Sequence, residues 1–254
     1  MEKIFMKPIE NQFEKFKVFK DEFTRFMLKY KFALREVETK VDILSEEFQF
    51  LHNYNPIEHT KSRVKSIESI FNKQLRKGGD FSPESITENI RDIAGIRITC
   101  SFKKDIYNIS ELLKSQQDLK VLSVKDYIKN PKENGYRSLH VLVEVPVFMS
   151  DCVEHVPVEI QLRTIAMDFW ASLEHKIFYK YDQEVPAYLL DELKAAADSA
   201  SELDEKMEYL HRKIGEIKET QDQSVEDELQ HLLQSNESFP IQKMLLNFID
   251  ENKK

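Results

Sequence analysis

The chain has 254 residues, 41% of them hydrophobic, enough to bury a core of ordinary domain size with substantial additions. Its net charge of -8 argues against indiscriminate binding along a nucleic-acid backbone, and Cys100 and Cys152, neither in a C-x-x-C pair, are too few for a disulfide framework or a cysteine zinc site. The longest strongly apolar run, around Val141 to Met149, is broken by Glu144 and Pro146, and the N-terminus shows no apolar segment ending in a small-residue cleavage site, so no membrane span or secretory signal is expected and the cytoplasm is favoured.

Between Pro8 and Pro56 there is no glycine or proline, and apolar residues at Phe13, Phe16, Phe19, Phe23, Phe26, Tyr30, Leu34, Val37, Val41, Leu44, Phe48 and Leu51 recur in steps of three and four. That spacing predicts two helices, or one with a bend, whose Phe-rich stripe is core. The segment from Pro56 to Phe71 reads as a turn entering another helix, with Ile67, Ile70 and Phe71 inward and its basic side exposed. Lys77-Gly78-Gly79-Asp80 breaks the chain, and Ser82-Pro83-Glu84-Ser85 restarts it with helix N-terminal chemistry.

A strand is then predicted near Gly95 to Phe102, a helix near Lys104 to Gln116 and a strand near Leu119 to Tyr127. After a polar loop come strands near Ser138 to Val147 and Val153 to Arg163, and from Ile165 the pattern is helical. Strands interleaved with helices indicate an α+β (α/β) domain with a mixed sheet. In the tail, Leu203, Met207, Leu210, Ile214 and Ile217 form a heptad seam flanked by charge, which either packs back onto its own domain or pairs with another subunit. Cys100 reads as a small core residue.

Charge is segregated. Lys61, Arg63, Lys65, Lys73, Arg76 and Lys77 form one basic stretch, Lys120, Lys125, Lys129, Lys132 and Arg137 another, and Asp182 to Glu237 is heavily acidic. Localised positive sites on an acidic body suit a small polyanion such as a nucleotide.

Period-2 alternation directs Val156, Val158, Ile160 and Leu162 into a core and lines up Glu159, Gln161 and Arg163 on the other face. By the same test Arg97 and Thr99 share a polar face, and His140 lies opposite Leu139, Val141 and Val143. Asp92 before one strand and Glu159 within another could converge on a divalent cation, and hard oxygen ligands with substrate phosphates suit Mg²⁺. Separately, Asp92 could be a cap and Glu159 a solvated or Arg-paired side chain. In the loop Asn130 to His140, Gly135 permits unusual backbone, Tyr136 offers a ring for base stacking or for covering the core edge, and Lys132, Arg137 and His140 offer donors to phosphate or ribose. Arg63, Lys65 and Arg97 add cations able to grip phosphate, and the two arginines could also stack on a purine. No P-loop, G-x-G-x-x-G, G-x-S-x-G, H-E-x-x-H or His-Asp dipeptide is present.

In order, R-D-I-A-G-I-R from Arg91, the run K-D-Y-I-K-N-P-K-E-N-G-Y-R-S-L-H from Lys125, and V-E-I-Q-L-R-T followed by M-D-F-W-A-S-L-E-H-K resemble the synthetase domain of the RelA/SpoT family, which makes the alarmones ppGpp and pppGpp. The resemblance covers roughly Pro56 to Tyr181, and the helical ends suit the synthetase-only branch of small alarmone synthetases. It implies a nucleotidyltransferase-like core at 56–181, an N-terminal helical region at 1–55 and an acidic, helical oligomerisation region at 182–254. It also implies transfer of pyrophosphate from ATP to the 3′-hydroxyl of GDP or GTP in the stringent response, with Mg²⁺, and a cytoplasmic homo-oligomer, a tetramer by resemblance, with no membrane or nucleic-acid partner.

By motif position Asp92 and Glu159 would bind Mg²⁺, Glu159 also accepting the hydroxyl proton. Arg63 and Arg97 would sandwich adenine, Lys65 would neutralise ATP phosphates, and Tyr136 would stack on guanine. Lys132, Asn134, Arg137 and His140 would position the acceptor, and Gln161, Arg163 and Lys125 would support the site. The chain departs from relatives at Ser123-Val124-Lys125-Asp126, which lacks a leading Arg, and at Asp168, where many small synthetases carry Asn. Other acceptors, an adenosine nucleotide or a tRNA 3′ end, and an inactive nucleotide-binding scaffold are the alternatives.

Overall fold

A computed structural model describes residues 6–52, 54–178 and 185–235. Helicity expected beyond Ser235, and the expected boundary between Tyr181 and Asp182, lie outside the described residues. By its internal packing the chain divides into two compact units, Met1–Glu205 and Lys206–Lys254.

A single helix, α1, runs from Met6 to Leu51 where two helices or a bent one were expected. Nothing between Pro8 and Leu51 breaks it, and proline in a first turn removes only a donor that has no helical partner. Its stripe buries Phe23, Phe26, Tyr30, Leu34, Val37, Val41 and Leu44, packed along strands β1, β2, β4 and β5 as bounded below, whereas Phe19 and Leu51, expected in the core, are exposed toward the ends of the stripe. Burial stabilises each large apolar side chain by about 1.5–3 kcal/mol, so tertiary packing over this length overrides any tendency to bend.

The second element corrects the sequence reading: Ile57–Val64 is a strand, β1, and helix α2 begins only at Ile67. β1 is the sheet's edge and pairs only with β2, and Ile57 is its one buried apolar side chain, so no apolar alternation marked it. Ile67 is correspondingly exposed, Ile70 is fully buried and Phe71 packs against the core. α2, Ile67–Lys77, is closed at the N-terminus by Ser66 Oγ accepting from Ser69 N at 3.2 Å and at the C-terminus by Gly78, φ 68°. α3, Pro83–Asn89, starts with Ser82 as cap and proline in its first turn, as predicted.

Then follow β2 (Ala94–Cys100), α4 (Lys103–Lys114), β3 (Lys120–Asp126), β4 (Leu139–Phe148), β5 (Val153–Thr164), α5 (Ile165–Phe178) and α6 (Ala187–Ser235). The five strands form one mixed sheet in the order β1-β2-β5-β4-β3; β2 and β5 are parallel and every other pairing is antiparallel. Ile96, Ile98, Val141, Val143, Val158, Ile160 and Leu162 are buried, as alternation required.

Within the first unit, the beginning of α6 is fastened to the sheet domain. Trp170 Nε1 donates to Leu193 O at 3.1 Å, buried Thr164 Oγ1 donates to Asp204 Oδ2 at 2.6 Å, and Lys103 pairs with Glu205 at 2.8 Å. Along the heptad seam, Leu203, Met207, Leu210, Ile214 and Ile217 are each more than half exposed.

Cys100 is buried as expected, and burial, reinforced by the charges of Asp105 and Glu58, pushes its thiol up to about 12. Thiolate is the reactive form, so at pH 8 iodoacetamide should leave Cys100 unmodified in the native protein and alkylate it in urea. Peptide mass spectrometry checks this; comparable rates in the two states would contradict the packing.

Candidate active site

Strand pairing assembles the site. The parallel register sets Gly95 beside Glu159, Arg97 beside Gln161 and Thr99 beside Arg163. Antiparallel pairing adds Lys61 opposite Arg97, His140 opposite Gln161 and Lys125 opposite His140. Directly paired residues project to the same side, so Lys61, Arg97, Gln161, His140 and Lys125 make one row across all five strands. In the adjoining row Arg63 faces Gly95, which faces Glu159. Glycine at the middle position leaves the floor open between a guanidinium and a carboxylate.

These rows floor a cavity of about 440 Å³ lined by Arg63, Asp92, Arg97, Glu159, Gln161 and Arg163, with Lys61 and Ser62 from β1 and Ala171, Ser172, His175 and Lys176 from α5. Asp92, just ahead of β2, is gripped by Lys65 Nζ at 2.6 Å and Lys73 Nζ at 2.8 Å. Burial alone would raise its pKa, but the hydrogen bonds and charges of the two ammoniums outweigh that and hold it below the usual carboxylate range.

Glu159 is held ionised differently. Burial and the Asp92 charge push its pKa up, while His140 and Gln161 bring the net value below normal. His140 Nδ1 lies 3.2 Å from Oε1, and Gln161 Nε2 donates to Oε2 at 2.7 Å. Arg163 Nη2 donates to Gln161 Oε1 at 3.1 Å and to Tyr136 Oη at 2.8 Å, and Tyr136 Oη lies 2.8 Å from His140 Nε2. Guanidinium can only donate, so the tyrosine oxygen accepts from Arg163. An ionised carboxylate can only accept, so His140 Nδ1 donates to Glu159. Arg163, Gln161, Glu159, His140 and Tyr136 close a ring of five side chains.

The remaining predicted residues divide. Lys132 Nζ sits 4.8 Å from the Tyr136 ring centre and 4.9 Å from that of Tyr127. Asn134 Oδ1 accepts from Tyr136 N at 3.1 Å, and Gly135 has the positive φ, 88°, that its turn needs. A Cβ there would lie 2.5 Å from the Ala197 Cβ. Arg137 turns away to α6, donating to Asp198 Oδ1 at 2.8 Å and Ala197 O at 3.3 Å, and does not line the cavity. Lys125 is exposed on the far strand.

Sequence reasoning gave no role to Lys73, His175 or Lys176, and treated Asp168 only as a departure. Lys73 was in the flagged basic stretch, but its proximity to Asp92 depends on the strand-to-helix junction at Lys65. Asp168 Oδ1 lies 3.0 Å from both Arg97 Nη1 and Arg163 Nη1.

Replacing His140 by Phe removes a donor to Glu159, so the folded-state pKa of that carboxyl should rise. The acid limb of the pH–rate profile is then expected to move to higher pH, measured as kcat/KM over pH 4 to 9; an unmoved limb would contradict the assigned coupling.

A profile described as a region found in RelA / SpoT proteins matches residues 62–184. The GTP pyrophosphokinase YwaC of Bacillus subtilis is 56% identical over 188 residues, 74% of this chain and 90% of that protein. The crystal structure of small alarmone synthetase 2 from B. subtilis aligns with TM-score 0.69 and 55% identity, covering 76% of this chain and 99% of that one. Small alarmone synthetase 1 from B. subtilis bound to its product pppGpp aligns with TM-score 0.72 and 36% identity, covering 77% and 99%.

Proposed function

Because the chain belongs to the RelA/SpoT family, with small alarmone synthetases as relatives along most of its length, we propose that it is a GTP pyrophosphokinase that makes ppGpp and pppGpp. The observation that carries the mechanism is Glu159: an ionised carboxylate, fixed by two donors, facing the same cavity as Asp92, Arg63 and Arg97. In the reaction the 3′-oxygen of GDP or GTP bonds to the β-phosphorus of ATP. The bond from that phosphorus to the α,β-bridging oxygen breaks, and AMP leaves with the oxygen. Glu159 accepts the 3′-hydroxyl proton. Such transfers depend mainly on positioning and charge neutralisation, which suits a site rich in fixed cations.

Arg63 and Arg97 hold adenine, Lys65 and Lys73 neutralise the donor phosphates, and Tyr136, steadied by Asn134 and Lys132, presents its ring to guanine. His140, Gln161 and Arg163 keep Glu159 and Tyr136 in register. Arg137 serves the acceptor loop by bracing it on α6, and Lys125 contributes positive charge at its edge.

Asp92 and Glu159 fit a divalent cation. They face one cavity and repel each other, as the upward effect of Asp92 on Glu159 records. No group of three or more His, Cys, Asp or Glu side chains suited to a metal occurs among the described residues, which suits Mg²⁺ completed by waters and substrate oxygens. Bound there, Mg²⁺ would neutralise phosphate charge.

The exposed heptad seam supports self-association through the terminal helices, and a homotetramer is the assembly we infer. Residues 56–181 act as the synthetase core, 1–55 as its helical backing and 182–254 as the oligomerisation region. No described helix is long and apolar enough to cross a membrane, which supports a cytoplasmic site of action.

With ATP, Mg²⁺ and GDP or GTP, the expected products are AMP and a 3′-pyrophosphorylated guanosine nucleotide, followed by anion-exchange chromatography against adenosine nucleotides and tRNA as competing acceptors. Turnover confined to one of those competitors, or none at all, would refute the assignment. Glu159→Gln should reduce kcat by about 10²- to 10⁴-fold with unchanged circular dichroism. Multi-angle light scattering should give the mass of four chains, and a monomer at micromolar concentration would contradict the proposed assembly.

A further inference from the structure

Asp168 occupies a position that none of the assigned roles uses. It lies in the first turn of α5, five residues after Arg163, with its side chain only 14% exposed. Its Oδ1 is 3.0 Å from Arg97 Nη1 on β2 and 3.0 Å from Arg163 Nη1 on β5; Oδ2 is 4.0 Å from the exposed His59 Nε2. One oxygen is therefore shared by two guanidiniums. Arg97 Nε and Arg163 Nε are both buried with no hydrogen-bond partner among the described residues.

The two arginines lead to opposite parts of the site. Arg97 lines the cavity next to Arg63, on the side given to the donor purine. Arg163 holds Tyr136 Oη at 2.8 Å and Gln161 Oε1 at 3.1 Å, the two arms that reach Glu159 and the acceptor loop. We propose that Asp168 is a positioning residue that couples the donor and acceptor sides of the active site through this shared carboxylate. The inference rests on the functional reading above.

Its physics is competition for a single acceptor. An aromatic base covering the Arg97 guanidinium draws it toward the ring and loosens its hold on Asp168. The carboxylate then gives its charge more completely to Arg163, whose grip on Tyr136 and Gln161 tightens. A filled donor side thus prepares the acceptor side, and by linkage the reverse holds equally. Neutralising Asp168 removes the charge that is shared and leaves two guanidiniums with weakened restraint.

The test is calorimetric titration of GDP into the full chain with Mg²⁺, with and without saturating α,β-methylene ATP, which cannot transfer its pyrophosphate. In the wild type the analogue should tighten GDP binding about fivefold or more, at the lower end of typical coupling between sites. Asp168→Asn, nearly isosteric, should bring that ratio below about 2 while GDP alone binds within about threefold of wild type. Asp168→Glu, which keeps the charge, should retain a ratio above about 3, and serves if the amide variant does not fold.

An undiminished ratio in Asp168→Asn, or a ratio in Asp168→Glu no greater than in Asp168→Asn, overturns the coupling and leaves the pyrophosphokinase reading intact. Independent binding of the two nucleotides to the wild type does the same. Failure of the wild type to bind either nucleotide overturns both.

Discussion

A carboxylate placed among the strands of a sheet keeps its charge only if donors surround it, and Glu159 is the charge around which this molecule is arranged. Its two oxygens are each met by a donor side chain. Gln161 must turn its amide nitrogen to Glu159 because Arg163 claims its oxygen, and His140 donates through Nδ1 because a carboxylate can only accept. The permanently charged Arg163, nearly buried, sets the first of these orientations. A positive group with only donors, placed four residues from the carboxylate on the same strand, therefore fixes the orientation of Gln161 and holds the Tyr136 hydroxyl.

The rest of the fold secures the spacing of that ring. Parallel pairing of β2 with β5 sets Arg97 beside Gln161, and antiparallel pairing of β4 with β5 sets His140 on its other flank. A slip of one residue in either ladder would turn the polar row into the core and bring valines and isoleucines to the cavity. The buried aliphatic face and the long Phe-rich helix behind it oppose such a slip with many apolar contacts. Packing on one side of the sheet thus maintains register on the other.

Sequence pattern revealed the parts of this arrangement governed by alternation. β2, β4 and β5 each bury one face, so Arg97, His140, Glu159, Gln161 and Arg163 could be assigned to a common side from spacing alone. β1 escaped because an edge strand with polar side chains on both faces has no apolar signature, and the helix after it was consequently begun too early. α1 was legible as helix but not as one helix, since continuity is decided by the sheet beneath it. The ring itself could not be read, because it joins a loop tyrosine to strand residues by rotamer choices. Arg137 was read as an acceptor ligand from its neighbourhood in the loop, whereas the structure directs it to Asp198 on a helix sixty residues later. Asp168 shows the complementary problem: its two contacts come from separate strands that only the folded sheet brings together.

The turn at Gly135 rests directly on α6, with Arg137 tied to Ala197 and Asp198 and the Trp170 indole tied to Leu193. The stretch of α6 up to Glu205 is therefore part of the mould in which the loop bearing Tyr136 is cast. A version of this protein shortened to its strands, the Asp92 turn and α5 would keep every cavity-lining side chain and still lose the surface that shapes that loop. Sequence change in this helix can accordingly reshape the loop without altering any residue that lines the cavity. Within this fold, chemistry and its adjustment occupy different segments of the chain.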